Sequence, residues 1–370
     1  MSDGTPLAPG TEPAGPGSAP AGAGEPFDAA TLRADDLAWD RFVAVATAPS
    51  YLQATPWAAV KRPNGWTSRR VVADGPHGPV GAQILVRRPR PLLKGFGYAA
   101  RGPLTTGPLD GDAIAAFTEA VRAVSGELRV AHVRVDPELE DPDGSLARAF
   151  RAAGWQPAPE VNPGTTRILD LGRAEDDIWQ DIDRKWRQSI TKGGRDGTAV
   201  VPAGAERLAE FHAVHVRSME RAGIPFRTEE SYRDMWAAFA PSGHADLLFA
   251  EAPDGETLAT IFLVGWGPTT NDLYGGMTDA GAKRRANYLI KWEAIKRARA
   301  AGYTRYDLWG LPSPPVAAFK AGWGGREVSW VGAWDLVLDR LGRLVFEGAV
   351  RSRERIVHLR HGRRDGRGAG

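Results

Sequence analysis

Cysteine is absent from this 370-residue chain, which excludes disulfides, thiol nucleophiles and cysteine-based metal sites. Its seven histidines show no HxH or HxxxH spacing, so we expect no zinc site. No apolar run approaches the roughly 20 residues of a membrane-spanning helix, and no basic-then-apolar leader is present, so we expect a cytoplasmic protein. Lysine is also rare, at eight of 47 basic residues. Because arginine, alanine, glycine and proline are all favoured by a G+C-rich genome, each lysine is more informative than usual.

The remaining composition is that of a globular protein, with 42% hydrophobic and 25% charged residues. The length suits two domains of moderate size. Residues 1–26 contain almost no large apolar side chains, so we expect this segment to be disordered. Residues 351–370 form a basic tail with seven arginines against two acidic residues. A solvated tail is the preferred interpretation, and contact with RNA phosphates or anionic lipid is the alternative.

Strand-like and helix-like patterns alternate along the rest of the chain. A helix over 112–124 has Ile114, Phe117, Val121 and Val124 at helical spacing, and a single helix is predicted over 175–194. Further helices are predicted over 145–154, around 208–219 and over 287–302. Strands are predicted at 69–73, 81–88, 128–136, 245–252, 257–266, 271–277 and 303–310.

The two halves of the chain resemble each other. A helix ends in AAGW at 152–155 and another ends in AAGY at 300–303, and the order of elements before them also agrees. A repeat near 150 residues predicts tandem copies of one α/β domain, because a solenoid has a much shorter period. The seam is expected near 163–166.

The order of three strands, a helix and a strand is similar to the GNAT acetyltransferase architecture. A GNAT enzyme that uses acetyl-CoA carries a glycine-rich loop whose backbone N–H groups hold the pyrophosphate. The matching segment here is AGAKRRANYL at 280–289, which lacks those glycines. A GNAT-like fold without acetyl-CoA binding is therefore expected, and an acetyl-CoA-dependent N-acetyltransferase is an alternative.

Seven stretches resemble the FemABX family of peptidoglycan bridge-forming aminoacyltransferases, in the family's order over residues 45–340. They are YLQATPWAAVKR, YAARGPL, VRVDPEL, KWRQSITKGGRDG, GIPFRTEESY, NYLIKWEAIKRARAAGYTRYDLWG and AAFKAGWGG. The resemblance implies an α/β (α+β) fold of two tandem GNAT-like domains without a coiled-coil arm, as in FemX-type members. It also implies that domain 1 (27–164) is joined by residues 318–350 and that domain 2 comprises 165–317.

The resemblance implies transfer of an amino acid of the Gly/Ala/Ser class from aminoacyl-tRNA to a peptide amine. The acceptor would be UDP-MurNAc-pentapeptide or lipid II. An activated ester needs no cofactor or metal, so none is expected. Peripheral association with the inner face of the membrane is one option, and the oligomeric state is not predicted. A peptide-antibiotic acceptor and a non-enzymatic adaptor that binds RNA or membrane remain alternatives.

Two basic residues match the family's acceptor site, and one lysine matches its catalytic position. Phe319 and Lys320 match a Phe-Lys step that meets the tRNA end, with the ammonium of Lys320 stabilising the oxyanion. Lys61 and Arg227 match a pair that binds the precursor's phosphates. The alternative for each is a solvated charge, or for Arg227 an ion pair with a nearby glutamate.

Three further residues have two readings each. Asp136 ends a strand and would orient or deprotonate the attacking amine, or cap the turn before Pro137. Arg187 would bind RNA phosphate or precursor, or pair with Asp183 on its own helix. Tyr274 would contact the precursor or be a core aromatic residue.

Overall fold

A computed structural model describes residues 27–88 and 93–348. The segments predicted to be a disordered N-terminus and a basic tail lie outside these residues. Along the described residues run helices α1 (Ala29–Ala34), α2 (Asp36–Val45), α3 (Thr55–Lys61), α4 (Gly111–Leu128), α5 (Ser145–Ala152), α6 (Glu175–Asp181), α7 (Arg184–Arg195), α8 (Leu208–Ala222), α9 (Glu229–Phe239), α10 (Asp279–Arg284), α11 (Ala286–Ala300) and α12 (Pro314–Ala321).

The strands are as follows: β1 (Trp66–Gly75), β2 (Gly78–Arg87), β3 (Gly95–Ala99), β4 (Leu104–Thr105), β5 (Val130–Val135), β6 (Trp155–Ala158), β7 (Thr165–Asp170), β8 (Ala199–Pro202), β9 (Ala245–Glu251), β10 (Thr257–Trp266), β11 (Thr269–Met277), β12 (Arg305–Asp307), β13 (Arg326–Ser329) and β14 (Ala333–Val337). They form two sheets, ordered β1-β2-β3-β5-β14-β6 with β4 beside β2, and β13-β7-β12-β11-β10-β9-β8. We call residues 27–164 and 333–348 the first lobe and residues 165–332 the second lobe.

Both lobes contain the same unit, in which a strand is followed by a helix and then by a second strand that pairs with the first in parallel. In the first lobe β3, α4 and β5 form this unit, and in the second lobe β11, α10–α11 and β12 do so. Strand β11 carries a bulge where Phe262 of β10 pairs with Tyr274 and Leu263 pairs with Asp272. The predicted tandem GNAT-like architecture is confirmed.

The chain returns to the first sheet later than expected. Helix α12 and strand β13 still belong to the second lobe, because β13 pairs with β7 and Trp323 is buried in that lobe's core. Only β14 enters the first sheet, where it pairs with β5 and β6. The return to the first lobe was predicted at residue 318. In the structure, the strand that returns to the first sheet begins at Ala333.

The single helix predicted over 175–194 is two helices. Ile182, between α6 and α7, has an extended ψ of 135°, and Asp183 caps α7 by accepting a hydrogen bond from the backbone N–H of Lys185. The regular spacing of Ile178, Ile182 and Ile190 continues across the break because all three are buried in the same core. Periodicity alone therefore concealed a boundary that an N-cap aspartate determines.

A hydrophobic core joins the two lobes. It combines first-lobe residues such as Trp39, Tyr51 and Trp57 with second-lobe residues such as Phe239 and Phe262. Helix α3 contacts α9 across this boundary. Among the residues that the structure describes, none of the helices combines the length and apolar character needed to cross a bilayer.

Candidate active site between the two lobes

Two predicted acceptor-site cations meet at the boundary between the lobes. Lys61 is the last residue of α3, and its Nζ lies 4.2 Å from the ring centroid of Trp57. Arg227 lies between α8 and α9 on the second lobe, and the neighbouring Tyr274 side chain raises the pKa of its guanidinium. Burial, followed by the positive charges of Arg227 and Arg87, lowers the pKa of Lys61 to about 8. Three predicted binding residues, Lys61, Arg227 and Tyr274, thus converge from both lobes.

The neighbours of Arg227 explain why it remains available. Glu229 forms its ion pair with Arg233 and not with Arg227. Tyr274 lies beside Tyr232, with ring centroids 4.9 Å apart, and Tyr232 is fully buried. Tyr232 is therefore part of the wall behind Tyr274.

Aromatic side chains connect this cation pair to the rest of the boundary. Tyr51 packs against Trp57, Phe239 and Trp309, with centroid distances of 5.6, 5.9 and 5.9 Å. The guanidinium carbon of Arg101 lies 5.6 Å from the Trp309 ring centroid. Sequence reasoning assigned no role to Tyr51, Arg101 or Trp309, although all three lie in the stretches that resemble the FemABX family.

Lys320 does not point into bulk water. It lies near the end of α12 and its Nζ donates hydrogen bonds to the carbonyl oxygens of Trp309, at 2.7 Å, and Gly310, at 2.6 Å. Burial lowers the pKa of Lys320 to about 8, while Asp272 opposes that change. Because the Trp309 ring contacts Tyr51 of the first lobe, the ammonium lies close to the boundary between lobes.

Phe319 faces an aromatic cluster. Its ring lies 5.9 Å from that of Trp186 and 5.7 Å from that of Tyr288, and its carbonyl accepts a hydrogen bond from the Trp186 indole. The ring is only partly buried. Phe319 therefore has neighbours that would support stacking on its accessible side, and its role in binding stays a prediction.

Asp136 is committed to the protein's own groups. It is 4% exposed, and its carboxylate accepts hydrogen bonds from the Tyr98 hydroxyl and the Arg101 backbone N–H at 2.7 Å each, and from the Asn162 amide at 3.1 Å. Burial raises its pKa, and Arg101 opposes that rise. These contacts favour a positioning role over deprotonation of an amine, and they differ from the predicted cap of the following turn.

Arg187 lies apart from the boundary residues. It lines a groove of about 570 Å³ with Trp179, Arg184, Gln188, Thr191, Lys192, Arg195 and Asp196. Its guanidinium donates to the Gln180 side chain and not to Asp183, so the ion-pair reading is replaced. Neither Arg184 nor Arg195 has a carboxylate partner among the described residues. The groove is thus a row of cations along one face of α7.

Unlike the α7 groove, a cleft of about 610 Å³ is lined by residues of both lobes. Glu138 from the first lobe and Arg305 and Arg326 from the second are among its lining residues. Burial raises the pKa of Glu138 to about 7, and Arg101 opposes that rise. No group of three or more potential metal ligands occurs in residues 27–88 and 93–348.

The comparisons agree with this architecture. The family model for the acetyltransferase (GNAT) domain matches residues 180–321. A crystal structure of FemX superposes with a TM-score of 0.78 at 19% identity, over 84% of this chain and 98% of that one. Lipid II:glycine glycyltransferase of Staphylococcus haemolyticus is 22% identical, over 81% of this chain and 91% of that protein. The chain is thus similar to FemX in fold and to a lipid II:glycine glycyltransferase in sequence over most of its length.

Another relative is the UDP-N-acetylmuramoylpentapeptide-lysine N(6)-alanyltransferase of Weissella viridescens. It is 28% identical, over 70% of this chain and 78% of that protein. Both relatives transfer an amino acid, according to their names, one to lipid II and the other to a UDP-linked pentapeptide. This chain is therefore similar to transferases that are named for peptidoglycan precursors.

Proposed function

We propose that this protein is an aminoacyltransferase of the Fem family, which transfers a small amino acid from aminoacyl-tRNA to an amine of a phosphate-bearing muropeptide. The observation that carries the proposal is the convergence of Lys61 and Arg227 from opposite lobes. Lys320 donates a hydrogen bond to the backbone carbonyl of Trp309, and the Trp309 ring contacts Tyr51 of the first lobe. The relatives' names supply the class of acceptor.

Lys61 and Arg227 suit a diphosphate. Each can form charge-assisted hydrogen bonds, and a planar guanidinium binds a phosphate through two parallel N–H groups. A Lys61 pKa of about 8 leaves most of the ammonium charged at pH 7, and a nearby phosphate would favour the charged form further. The two residues would place the acceptor across the boundary between the lobes.

Lys320 would act at the donor ester. The amine nitrogen attacks the ester carbonyl carbon, the carbonyl oxygen gains negative charge, and collapse of the intermediate expels the ribose hydroxyl of the tRNA. A new amide forms, the carbon–oxygen ester bond breaks, and one proton passes from the amine to the leaving oxygen. An ammonium held next to the carbonyl oxygen lowers this barrier because it is already oriented before charge develops.

The cationic face of α7 would bind the RNA backbone. Arg184, Arg187 and Arg195 follow helical spacing along a line of about 16 Å. Phosphate contacts of this kind add affinity without reading sequence and weaken with salt. The same α7 packs against α11 of the second lobe, so we place the donor on that lobe. We also propose that each lobe is a domain, and that the protein acts in the cytoplasm or at the inner face of the membrane.

The test is a reconstituted transfer reaction. Purified protein is incubated with a mixture of charged tRNAs and with either UDP-MurNAc-pentapeptide or lipid II, and products are identified by mass spectrometry. We expect an acceptor whose mass increases by one amino-acid residue and whose formation stops when the tRNA is deacylated. Parallel incubations supply acetyl-CoA in place of the charged tRNAs, or a phosphate-free pentapeptide in place of the acceptor. An acetylated acceptor without any aminoacyl product would refute the proposal, as would transfer only to the phosphate-free peptide.

A further inference from the structure

The two carbonyl groups that hold Lys320 belong to adjacent residues of one turn. Its Nζ is 2.7 Å from the Trp309 carbonyl oxygen and 2.6 Å from that of Gly310. A lysine ammonium has three N–H donors and no acceptor. No further hydrogen bond or ion pair of this Nζ occurs within residues 27–88 and 93–348. Tetrahedral geometry therefore fixes the direction of the third N–H.

The turn needs support because its backbone is unusual. Trp309 has φ 55° and Gly310 has φ 73°, so a bulky residue adopts the left-handed conformation that usually favours glycine. Strain of this kind persists only where the surrounding structure enforces it. The residues that enforce the backbone conformation of this turn therefore also fix the positions of its two carbonyl groups.

A buried pair of side chains ties down both N–H groups of the turn. The Asp307 carboxylate accepts hydrogen bonds from the Trp309 N–H at 2.7 Å and from the Thr166 hydroxyl at 2.5 Å. The Thr166 hydroxyl in turn accepts from the Gly310 N–H at 3.0 Å. Thr166 and Asp307 are only 2% and 3% exposed, so water does not compete for these bonds. One carboxylate and one hydroxyl thus fix both peptide units.

We propose that Asp307 and Thr166 are positioning residues for Lys320. They hold the turn in place, and its two carbonyl groups thereby fix the direction of the third N–H of the ammonium, which is the one available to an oxyanion. This inference rests on the proposed role of Lys320 in transfer. Asp307 and Thr166 lie 141 positions apart along the chain, so only the folded structure brings them together.

The negative charge of Asp307 adds an electrostatic effect to the geometric one. Asp307 and Asp272 raise the pKa of Lys320, although burial lowers it overall. Loss of the two carbonyl contacts would remove further stabilisation of the charged ammonium. A displaced turn should therefore shift the pKa of Lys320 downward, which a purely structural turn elsewhere would not do.

The decisive variant is Thr166→Val, which removes the hydroxyl with little change of volume. Thr165→Val is the matched control, because Thr165 is the adjacent residue of β7 and its hydroxyl lies 3.4 Å from that of Ser329. Thr166→Ser restores the hydroxyl. The readouts are the kcat of transfer and the pH titration of the Lys320 ε-carbon by NMR, in protein with 13C-labelled lysine and with Lys320→Arg for assignment.

For Thr166→Val we expect kcat to fall about tenfold with an unchanged acceptor KM, as for one misplaced hydrogen bond. We also expect a lower pKa of Lys320 and recovery of both readouts in Thr166→Ser. An unchanged pKa together with an unchanged kcat overturns the inference. A lowered pKa with an unchanged kcat supports the positioning and refutes the catalytic role of Lys320. If Thr166→Val does not fold, Asp307→Asn gives the same readouts, because it keeps an acceptor and removes the charge.

Discussion

Replacement of Lys320 by alanine tests the centre of the proposed mechanism. The substitution removes the ammonium that would face the oxyanion and leaves the carbonyls of Trp309 and Gly310 without their donor. Loss of one preorganised oxyanion donor costs about 10²–10³ in kcat elsewhere. We expect a fall of that size in the kcat of Lys320→Ala, measured under saturating tRNA and acceptor, because alanine supplies no donor in place of the ammonium.

The pH dependence of the parent enzyme gives an independent view of the same group. Since Lys320 must be protonated to stabilise an oxyanion and its pKa is about 8, kcat should decline as the pH rises above about 8. Lysine at its ordinary pKa would place that decline above pH 10. The measurement is a kcat profile from pH 6 to 10, with tRNA charging verified at each point.

The matched control for Lys320 is Lys94→Ala. Lys94 is an exposed first-lobe lysine, 2.9 Å from Asp339, and its removal should leave kcat within about twofold. An unaltered kcat in Lys320→Ala, with a normal melting temperature and saturating substrates, would refute the reasoning. A lowered melting temperature that is equal in both variants would not account for a selective loss of rate.

Three other predictions concern acceptor binding, RNA binding and packing. Lys61→Ala and Arg227→Ala should each raise the KM for a diphosphate acceptor at least about tenfold, and change that for a phosphate-free analogue little, since charge-assisted bonds are lost. The double change Arg184→Gln with Arg195→Gln should weaken tRNA binding and reduce the slope of log K against log salt by roughly 1.5, measured by filter binding at several salt concentrations. Gly281→Ala should lower the free energy of unfolding by about 1–3 kcal/mol or more in urea denaturation, because the added Cβ would lie 1.8 Å from the Leu258 carbonyl oxygen.

Each of these has a control in the same chain. Arg69→Ala removes an exposed first-lobe guanidinium that pairs with Glu127 and should leave the acceptor KM unchanged. Arg41→Gln with Arg122→Gln removes two first-lobe charges and should leave the salt slope unchanged. Gly126→Ala, in α4 with no atom within 4 Å of the added Cβ, should be neutral or stabilising. If any control matched its test variant, the corresponding assignment would be wrong.

Local patterns were enough to identify most helices and strands and to select candidate site residues. The helical spacing of Ile114, Phe117 and Val121 and the β-branched runs marked α4 and its neighbouring strands, because side-chain periodicity follows directly from backbone geometry. Lys61 and Arg227 were recognisable from their stretches. In the structure the positive charge of Arg227 lowers the pKa of Lys61, and the role of both residues at an acceptor site stays a prediction.

Other features had no local signal. The break at Ile182 retains helical spacing, so only the ψ angle and the Asp183 cap reveal it. The site's aromatic connection joins Tyr51 to Trp309, far apart in sequence, through packing that no spacing rule encodes.

The sequence by itself determined the duplication and the α/β class, and it selected Lys320 as a candidate, since each of these depends on periodicity or on a short motif. What only the tertiary structure decided was which groups Lys320 and Asp136 actually contact. Those contacts arise from residues distant along the chain, such as Thr166 with Asp307 and Tyr98 with Asp136. Burial of these partners away from water then sets the strength of their hydrogen bonds and the direction of their pKa shifts, and burial exists only once the two lobes have folded together.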